Sequence, residues 1–396
     1  MNNISPPKYV RQVLFAIQSR GHMVCLVGGC VRDMILGIQP NDWDICTSAL
    51  PEQILEIFPD SLTHGMQHGT VTVKQNSHLV EVTTFRSEGV YIDHRHPGAV
   101  SFVGDLTVDL SRRDFTMNAI AIPPDGMVTD PFGGIGDIEN RLVRCVGEPE
   151  QRFEEDALRM FRALRFSAKL NFAIEEKTMA AIREKAPLAA GLSAERVCQE
   201  LEKTLMTQRP EMIFTMMELG LLDGYLRQRP GSDEKFRRLG QVNKKAPDRW
   251  CALCVALLEQ EAIDAAEDFL RRLHLDSRTI RCCADSVEIL KRPLPETVPD
   301  WKRLLRRWGV DAASRAAACR DGLEGGNYRQ QLRSVLKSGE CFSMDSLAVS
   351  GEDLMACGLK GKQIGQMLSF LLDYVMDHPE SNRRELLLSL ACATEE

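Results

Sequence analysis

A chain of 396 residues exceeds what one ordinary hydrophobic core supports and points to at least two domains. With 44% apolar and 27% charged residues it reads as globular, which excludes a disordered or fibrous chain. The net charge of -7 argues against a nucleic-acid partner only on average, because from Trp301 to Lys337 nine Lys/Arg face three Asp/Glu.

In chain order, "MNNISPPKYVRQVLFAIQ" reads as an amphipathic helix rather than a secretory leader. No apolar run reaches the roughly twenty residues that a membrane span needs, so the expected location is cytoplasmic. Up to about Arg141 the chain is rich in Gly, Val, Thr and Asp, with short apolar runs such as "MVCLV" and "GTVTV" bounded by turn residues. These are predicted strands with intervening helices.

The run "MVCLVGGCVRDMILGIQPNDWDICTSA" predicts strand, double-glycine turn, short helix and second strand. Gly28 and Gly29 allow close backbone approach to a ligand, the following helix start offers N–H groups to phosphate, and Arg32 adds a positive fork. Asp42 and Asp44 in "DWD" are two apart, so a strand would aim both carboxylates from one face. Hard oxygen ligands suit magnesium held together with substrate phosphates, where paired ions activate a 3′ hydroxyl and stabilise a leaving oxygen. An isolated DxD is more commonly a surface turn; the upstream glycine pair and Arg32 shift the balance toward a site.

His64 and His68 in "THGMQHGTVTV" have the spacing of a helical metal pair, but Gly65 and Gly69 break the helix such a pair requires, and the stretch reads as a turn entering a strand. In "HLVEVTTFR" Glu81 shares a strand face with Thr83 and Phe85 and is either a third carboxylate or an exposed strand residue. The "SRRDFTMNAIAI" stretch adds Arg112, Arg113, Asp114 and Asn118, with the arginines as candidates for a triphosphate or ribose clamp. Neither a GxxxxGK[ST] loop nor an intact GxGxxG turn is present, which argues against a P-loop enzyme and a Rossmann dehydrogenase.

After "GEPEQRFEEDALRMFRALRFSAKL" long amphipathic helices take over, so the fold class is α+β: a head with a mixed or antiparallel sheet, then an elongated all-α part. Breaks are predicted near Gly147, Pro230 and Pro295. Thirteen cysteines scattered through apolar helical patterns predict reduced core residues. Cys251 and Cys254 in "CALC" have only the adjacent Cys282 and Cys283 nearby, without zinc-ligand spacing.

Taken together, "LVGGCVRD…NDWDICTSA", "EVTTFR", "RRDFTMNAIA", "DPFGGIGDI", "EDALRMFRALRF" and "LSAERVCQELEKTL" resemble, in order, the class II tRNA nucleotidyltransferase and poly(A) polymerase family within the polymerase-β-like nucleotidyltransferases. The resemblance covers residues 26 to 205 and is greatest to the bacterial CCA-adding branch. It implies a polymerase-β-like head over 1–141, a neck over 142–206, a helical body over 207–297 and a helical tail over 298–396. It implies that Asp42 and Asp44 bind catalytic Mg2+, and that Gly29, Arg32 and Arg113 contact the incoming nucleotide. It further implies that Asp156, Arg159, Arg162 and Arg165 form the nucleotide-selecting helix, and it suggests a homodimer.

The spacing of those four is compatible with that role, since recurrence every third residue forms a slowly drifting helical stripe. A charged stripe is ordinarily a solvated face. Asp156 and Arg159, however, offer an acceptor beside a donor fork, complementary to the edge shared by cytosine and adenine. Residues 86–103, with His94, Arg95 and His96, resemble the family's flexible loop, a natural device for switching from C to A.

In the helical half, Lys302, Arg303, Arg306 and Arg307 of "WKRLLRRWG", with Arg329 and Arg333, are candidates for the acceptor stem and elbow of tRNA. Lys360 and Lys362 in "GLKGKQIG" are candidates for a phosphate grip between two helices. The expected activity is template-independent addition and repair of the 3′-terminal CCA of tRNA with CTP and ATP. Three rivals stay open: an A-adding enzyme working with a CC-adding partner, a bacterial poly(A) polymerase, and an inactive tRNA-binding protein.

Overall fold

The structure, a computed structural model, describes residues 4–88 and 100–393. It divides into two units, Met1–Gly224 and Tyr225–Glu396. This break falls inside the 207–297 segment expected from sequence and lies close to the predicted one near Pro230.

In the first unit, the sheet runs β3-β4-β2-β1-β7, with β1 (Val24–Val27), β2 (Asp44–Thr47), β3 (Thr70–Gln75), β4 (His78–Thr84) and β7 (Ala121–Ile122). A separate hairpin pairs β5 (Arg86–Glu88) with β6 (Val100–Phe102). Every residue of β1 is buried, as expected for a central strand covered on both faces. Along β4, by contrast, Val80, Val82 and Thr84 are buried while Glu81 is exposed, the alternation of a half-covered strand. The pairing of β2 with β4 is parallel and all the others in this sheet are antiparallel, so the sheet is mixed.

The amphipathic helix expected at the start is Lys8–Gln18, burying Val10, Val13, Leu14 and Ile17 at helical spacing. The "SRRDFTMNAIAI" stretch is neither strand nor helix throughout. Arg112 ends the helix Leu106–Ser111, Thr116–Asn118 is a single 3-10 turn, and only Ala121–Ile122 pairs into the sheet. At Gly69 (φ 81°) the chain turns into β3, and an added Cβ would lie 2.8 Å from the Phe102 ring, so this glycine serves close packing.

Beyond the sheet, the helices Pro149–Glu155, Leu158–Leu170, Glu176–Lys185 and Ala194–Leu205 complete most of the first unit. From Tyr225 on, the described residues are helical, with one core around Trp301, Leu305 and Ala313 and another around Leu371, Val375 and Leu387. Its helix Val298–Leu323 is kinked at Gly309 (φ 79°, ψ 168°). All thirteen cysteines are free, and Cys251 and Cys254 are fully buried, so "CALC" is core. Among the described residues no helix is long and apolar enough to cross a membrane.

Candidate active site

The turn after β1 depends on glycine. Gly28 has φ 77°, and a Cβ there would stand 3.3 Å from Arg113 Nη1 and 3.4 Å from Asp44 Oδ2. Gly28 therefore lies directly against a carboxylate and a guanidinium. Gly29 opens the helix Gly29–Ile35, which carries Arg32 at 2% exposure. Arg32 donates through Nη1 to Asn118 Oδ1 at 2.7 Å and through Nε and Nη2 to Asp33 Oδ1 at 2.9 and 2.6 Å.

Asp44 is the first residue of β2, whereas Asp42 is exposed in the bend before it, so only one of the two lies in the strand. The bend is the difference from the expected strand pair. Asp42 nonetheless lies within electrostatic reach of Asp44. The parallel register sets Asp44 beside Glu81. Burial first, then the negative charge of Glu81 and, more weakly, of Asp42, push the Asp44 carboxyl above its ordinary value, with Arg113 opposing them. A partly buried carboxylate crowded by two others is relieved by a bound cation, and oxygen donors suit a hard divalent ion. Among the described residues no three or more His, Cys, Asp or Glu side chains converge as a complete metal site. Two carboxylates alone offer fewer oxygen donors than a divalent cation takes, so a cation there would need phosphate or water as well.

Arg113 is fixed by Asp109, whose Oδ2 accepts from its Nη2 at 3.0 Å, while Asp109 Oδ1 accepts from Arg112 at 2.7 and 3.0 Å. Although burial raises the Asp109 carboxyl, Arg113 and Arg112 outweigh it and hold it below its usual value. Sequence reasoning missed Asp109. Its only signal was the i+3 and i+4 spacing to the two arginines in a short helix.

The four-residue stripe Asp156, Arg159, Arg162 and Arg165 is not a solvated face. Asp156 does not lie on the long helix at all: it ends Pro149–Glu155 in extended conformation, and the next helix begins at Leu158. Its Oδ1 accepts from the Leu158 N–H at 3.1 Å and its Oδ2 from Arg196 Nη2 at 2.8 Å. Arg159, 7% exposed, donates to Glu155 Oε2 and to the Arg112 carbonyl, both at 3.0 Å. Arg162 pairs with Asp114 through Nε at 2.9 Å, and the buried Arg165 pairs with Glu200. Residues 112–114 thus reach Asp44 electrostatically through Arg113 and bond the helix Leu158–Leu170 through the Arg112 carbonyl and Asp114. Asp33, Glu155, Arg196 and Glu200 were not singled out from sequence; Asp33 adjoins its partner Arg32, whereas Arg159, Asp156 and Arg165, the partners of the other three, lie on other elements.

Asp114 carries a stability consequence. Burial pushes its carboxyl up, but Arg162, then the Asn118 hydrogen bond, bring it from an ordinary 3.8 down to about 2. A depressed carboxylate stabilises the fold above the unfolded value and loses that contribution as the pH falls through 3.8 toward 2. Asp114→Asn is therefore expected to cost about 2 kcal/mol at neutral pH. In urea unfolding the gap between variant and wild type should be full at neutral pH and narrow as the pH drops below about 4. A gap that stays constant down to the lowest folded pH would show that the ion pair is not its source.

In the second unit, the expected basic track is largely internally paired. Lys302 is fully buried, with Nζ donating to the Met376 carbonyl at 3.2 Å and paired with Glu340, so it is a core cation and cannot meet a phosphate. Arg303 is held by Asp300 and Asp377, and Arg306 by Asp373 and Ser369. Three of these acidic partners, Glu340, Asp373 and Asp377, lie beyond the 301–337 window in which the basic surplus was counted, and the fourth, Asp300, lies just before it. Arg307 is exposed and lies over the Trp308 ring at 5.2 Å. Lys360 and Lys362 are exposed on either side of Gly361 (φ 55°), where the helix Lys362–Asp377 begins. His94, Arg95 and His96 of the expected flexible loop lie outside the described residues.

Three family models match successive parts of the chain: poly A polymerase head domain at residues 24–144, probable RNA and SrmB-binding site of polymerase A at 171–230, and tRNA nucleotidyltransferase domain 2 at 243–391. The CCA-adding enzyme of Geobacillus sp. (strain WCH70) is 39% identical over 387 residues, covering 94% of this chain and 93% of the relative. The crystal structure of the Bacillus stearothermophilus CCA-adding enzyme in complex with CTP matches with a TM-score of 0.86 at 32% identity, covering 99% of this chain and 98% of that one. The Thermotoga maritima CCA-adding enzyme complexed with tRNA shares the fold, with a TM-score of 0.71 at 23% identity, covering 100% of this chain and 97% of that one. Agreement along nearly the full length of both chains makes this protein a member of the CCA-adding enzyme family of class II tRNA nucleotidyltransferases.

Proposed function

We propose that this enzyme completes and repairs the 3′-terminal CCA of tRNA from CTP and ATP without a nucleic-acid template. The observation that carries the reading is the 112–114 segment: Arg113 lies beside Gly28 within electrostatic reach of Asp44, while the Arg112 carbonyl and Asp114 bond Arg159 and Arg162. One site can then hold the triphosphate and judge the base. Within it, Gly29, Arg32 and Arg113 are assigned to the incoming nucleotide, Asp42 and Asp44 to the catalytic cations, and Asp156, Arg159, Arg162 and Arg165 to nucleotide selection.

Enzymes of this family are metal-dependent, and Mg2+ at Asp42 and Asp44 is the assignment that fits a set of oxygen donors completed by phosphate and water. When bound, such ions lower the pKa of the primer 3′ hydroxyl and neutralise charge on the leaving oxygen. Arg113, anchored by Asp109, and Arg32, anchored by Asp33 and Asn118, keep fixed directions toward the phosphates. Glu81, beside Asp44 and exposed, raises the negative potential of the cluster and is proposed as its third carboxylate.

Base choice follows from hydrogen-bond polarity. Cytosine and adenine both present an amino donor beside a ring-nitrogen acceptor, which Asp156 and Arg159 satisfy. Uracil and guanine reverse both groups and leave the two charges unpaired, a mismatch that costs about 10⁴-fold in comparable sites. Both side chains have bonding capacity beyond their partners in the structure, since a carboxylate offers about four acceptor positions and Asp156 uses one for Leu158 and one for Arg196.

The segments 1–141, 142–206, 207–297 and 298–396 are assigned as head, neck, body and tail. In the helical half, Arg307, Lys360 and Lys362 are the cations proposed for tRNA phosphates. Arg303 and Arg306 would have to exchange a carboxylate for a phosphate.

Transcripts ending before CCA, after C and after CC, each incubated with a single nucleotide, test the reading. CTP should extend the first two and ATP only the third. Growth of the CC-ended transcript alone would identify an A-adding enzyme, long A tails on unrelated RNA a poly(A) polymerase, and no growth at all an inactive binding protein.

A further inference from the structure

The ring of Phe166 stands at a crossing of cations. The Arg165 guanidinium carbon is 4.2 Å from its centroid, that of Arg32 5.2 Å and that of Arg162 5.6 Å. All three distances fall within the roughly 6 Å range in which a ring quadrupole attracts a cation. Arg32 comes from the helix after the double-glycine turn, and the other two come from the neck helix Leu158–Leu170. Phe166 is 6% exposed, and its own orientation is set by an edge-on contact with Phe115 at 5.7 Å and 81°. Phe115 follows directly on Asp114, the partner of Arg162.

Three guanidiniums gathered on one ring repel one another, and the surroundings show the compensation. Each has its own carboxylate: Asp33 for Arg32, Asp114 for Arg162 and Glu200 for Arg165. Burial lowers the Arg165 guanidinium below its ordinary value, Glu200 opposes this, and the positive charge of Arg162 adds to it. A ring with a negative face is the one apolar group that fills such a space and also attracts all three cations.

We propose that Phe166 is a positioning residue for nucleotide binding: its ring holds Arg32, Arg162 and Arg165 as one pre-aligned set, so that head and neck present their cations to the same nucleotide. This rests on the reading of those arginines as nucleotide contacts. Phe166 acts through them and touches no reacting atom.

The electronic part of this role separates from packing by fluorinating the ring, which drains its negative face with little change in shape. Full-length enzyme carrying mono-, di- and trifluorophenylalanine at position 166 is assayed for KM and kcat with CTP and ATP, for KM with tRNA, and for Tm. The KM for CTP and ATP is expected to rise together with each fluorine, reaching about tenfold for the trifluoro ring. The tRNA KM, kcat and Tm are expected to stay near wild type. Arg32→Ala, measured alongside, separates the two levels of the proposal. A flat nucleotide KM across the series with a raised KM in Arg32→Ala overturns the role of Phe166 and leaves the arginine contacts standing. A flat KM in both overturns the arginine reading and the Phe166 role with it. A KM that rises only in step with a falling Tm reduces Phe166 to packing and also overturns the proposal.

Discussion

Asp44→Asn is expected to lower nucleotide incorporation by about a thousandfold, a loss of the size that follows removal of several kcal/mol of transition-state charge stabilisation. It is expected to leave tRNA binding unchanged. The same substitution should not weaken the fold at neutral pH, and should raise its Tm slightly. The sign follows from the direction of the shift: burial and then Glu81 raise the folded-state carboxyl, with Arg113 opposing, so the ionised form is penalised in the native protein. That penalty is absent below the unfolded value of 3.8 and grows as the pH rises through the folded value. Amide substitution removes it, and the Tm gain should fade in acid. Activity lost while stability is kept or gained is the signature of a site that holds strain for function. Wild-type incorporation by Asp44→Asn would remove Asp44 from the cation site.

Asp156→Ala carries the second large effect. With the acceptor gone, the amino group of cytosine or adenine loses its partner, and the carbonyl of uracil or guanine no longer meets a repelling carboxylate. The preference for CTP over UTP, and for ATP over GTP, is expected to fall by about a hundredfold, a part of the discrimination available to a buried hydrogen-bonding site. Values of kcat/KM for all four nucleotides check this. Both preferences should fall together, because one acceptor serves both bases. Loss of the CTP preference with the ATP preference intact would mean two separate reading sites. Arg196 also loses its carboxylate in this variant, so a modest drop in Tm is expected.

Much of the candidate site was legible because the residues that the structure brings together there are written in short-range terms. Two glycines before a helix, two aspartates two positions apart and a double arginine are local patterns, and each requires a residue type that few other situations require in that order. Even so, local patterns misjudge geometry. Asp42 lies in a bend because β2 pairs only from Asp44 onward, and Asp156 lies off the helix because its side chain caps the Leu158 N–H. Three-residue spacing cannot show where a helix begins.

Long-range pairing was the part that the chain order hid. Lys302 and its neighbours form a basic run, yet Glu340, Asp373 and Asp377 answer it from other elements of the same unit. Burial of an ammonium is tolerable only with such partners, and they cannot be identified by counting charges within a window. Asp109 escaped for the same reason: its importance lies in what it holds rather than in any motif of its own. The sheet was expected to be mixed or antiparallel; that it is mixed, by one parallel pairing that brings Glu81 beside Asp44, became visible only in three dimensions.

The most direct measurement is the 3′ sequence of the product formed when a tRNA transcript lacking CCA is incubated with purified enzyme and all four nucleotides at equal concentration. A single terminus reading C, C, A, with no further extension and no U or G at any position, is the predicted result. A terminus that stops without C, continues as an A tract, or carries U or G at the level of chance would contradict a protein site that selects C and then A by itself.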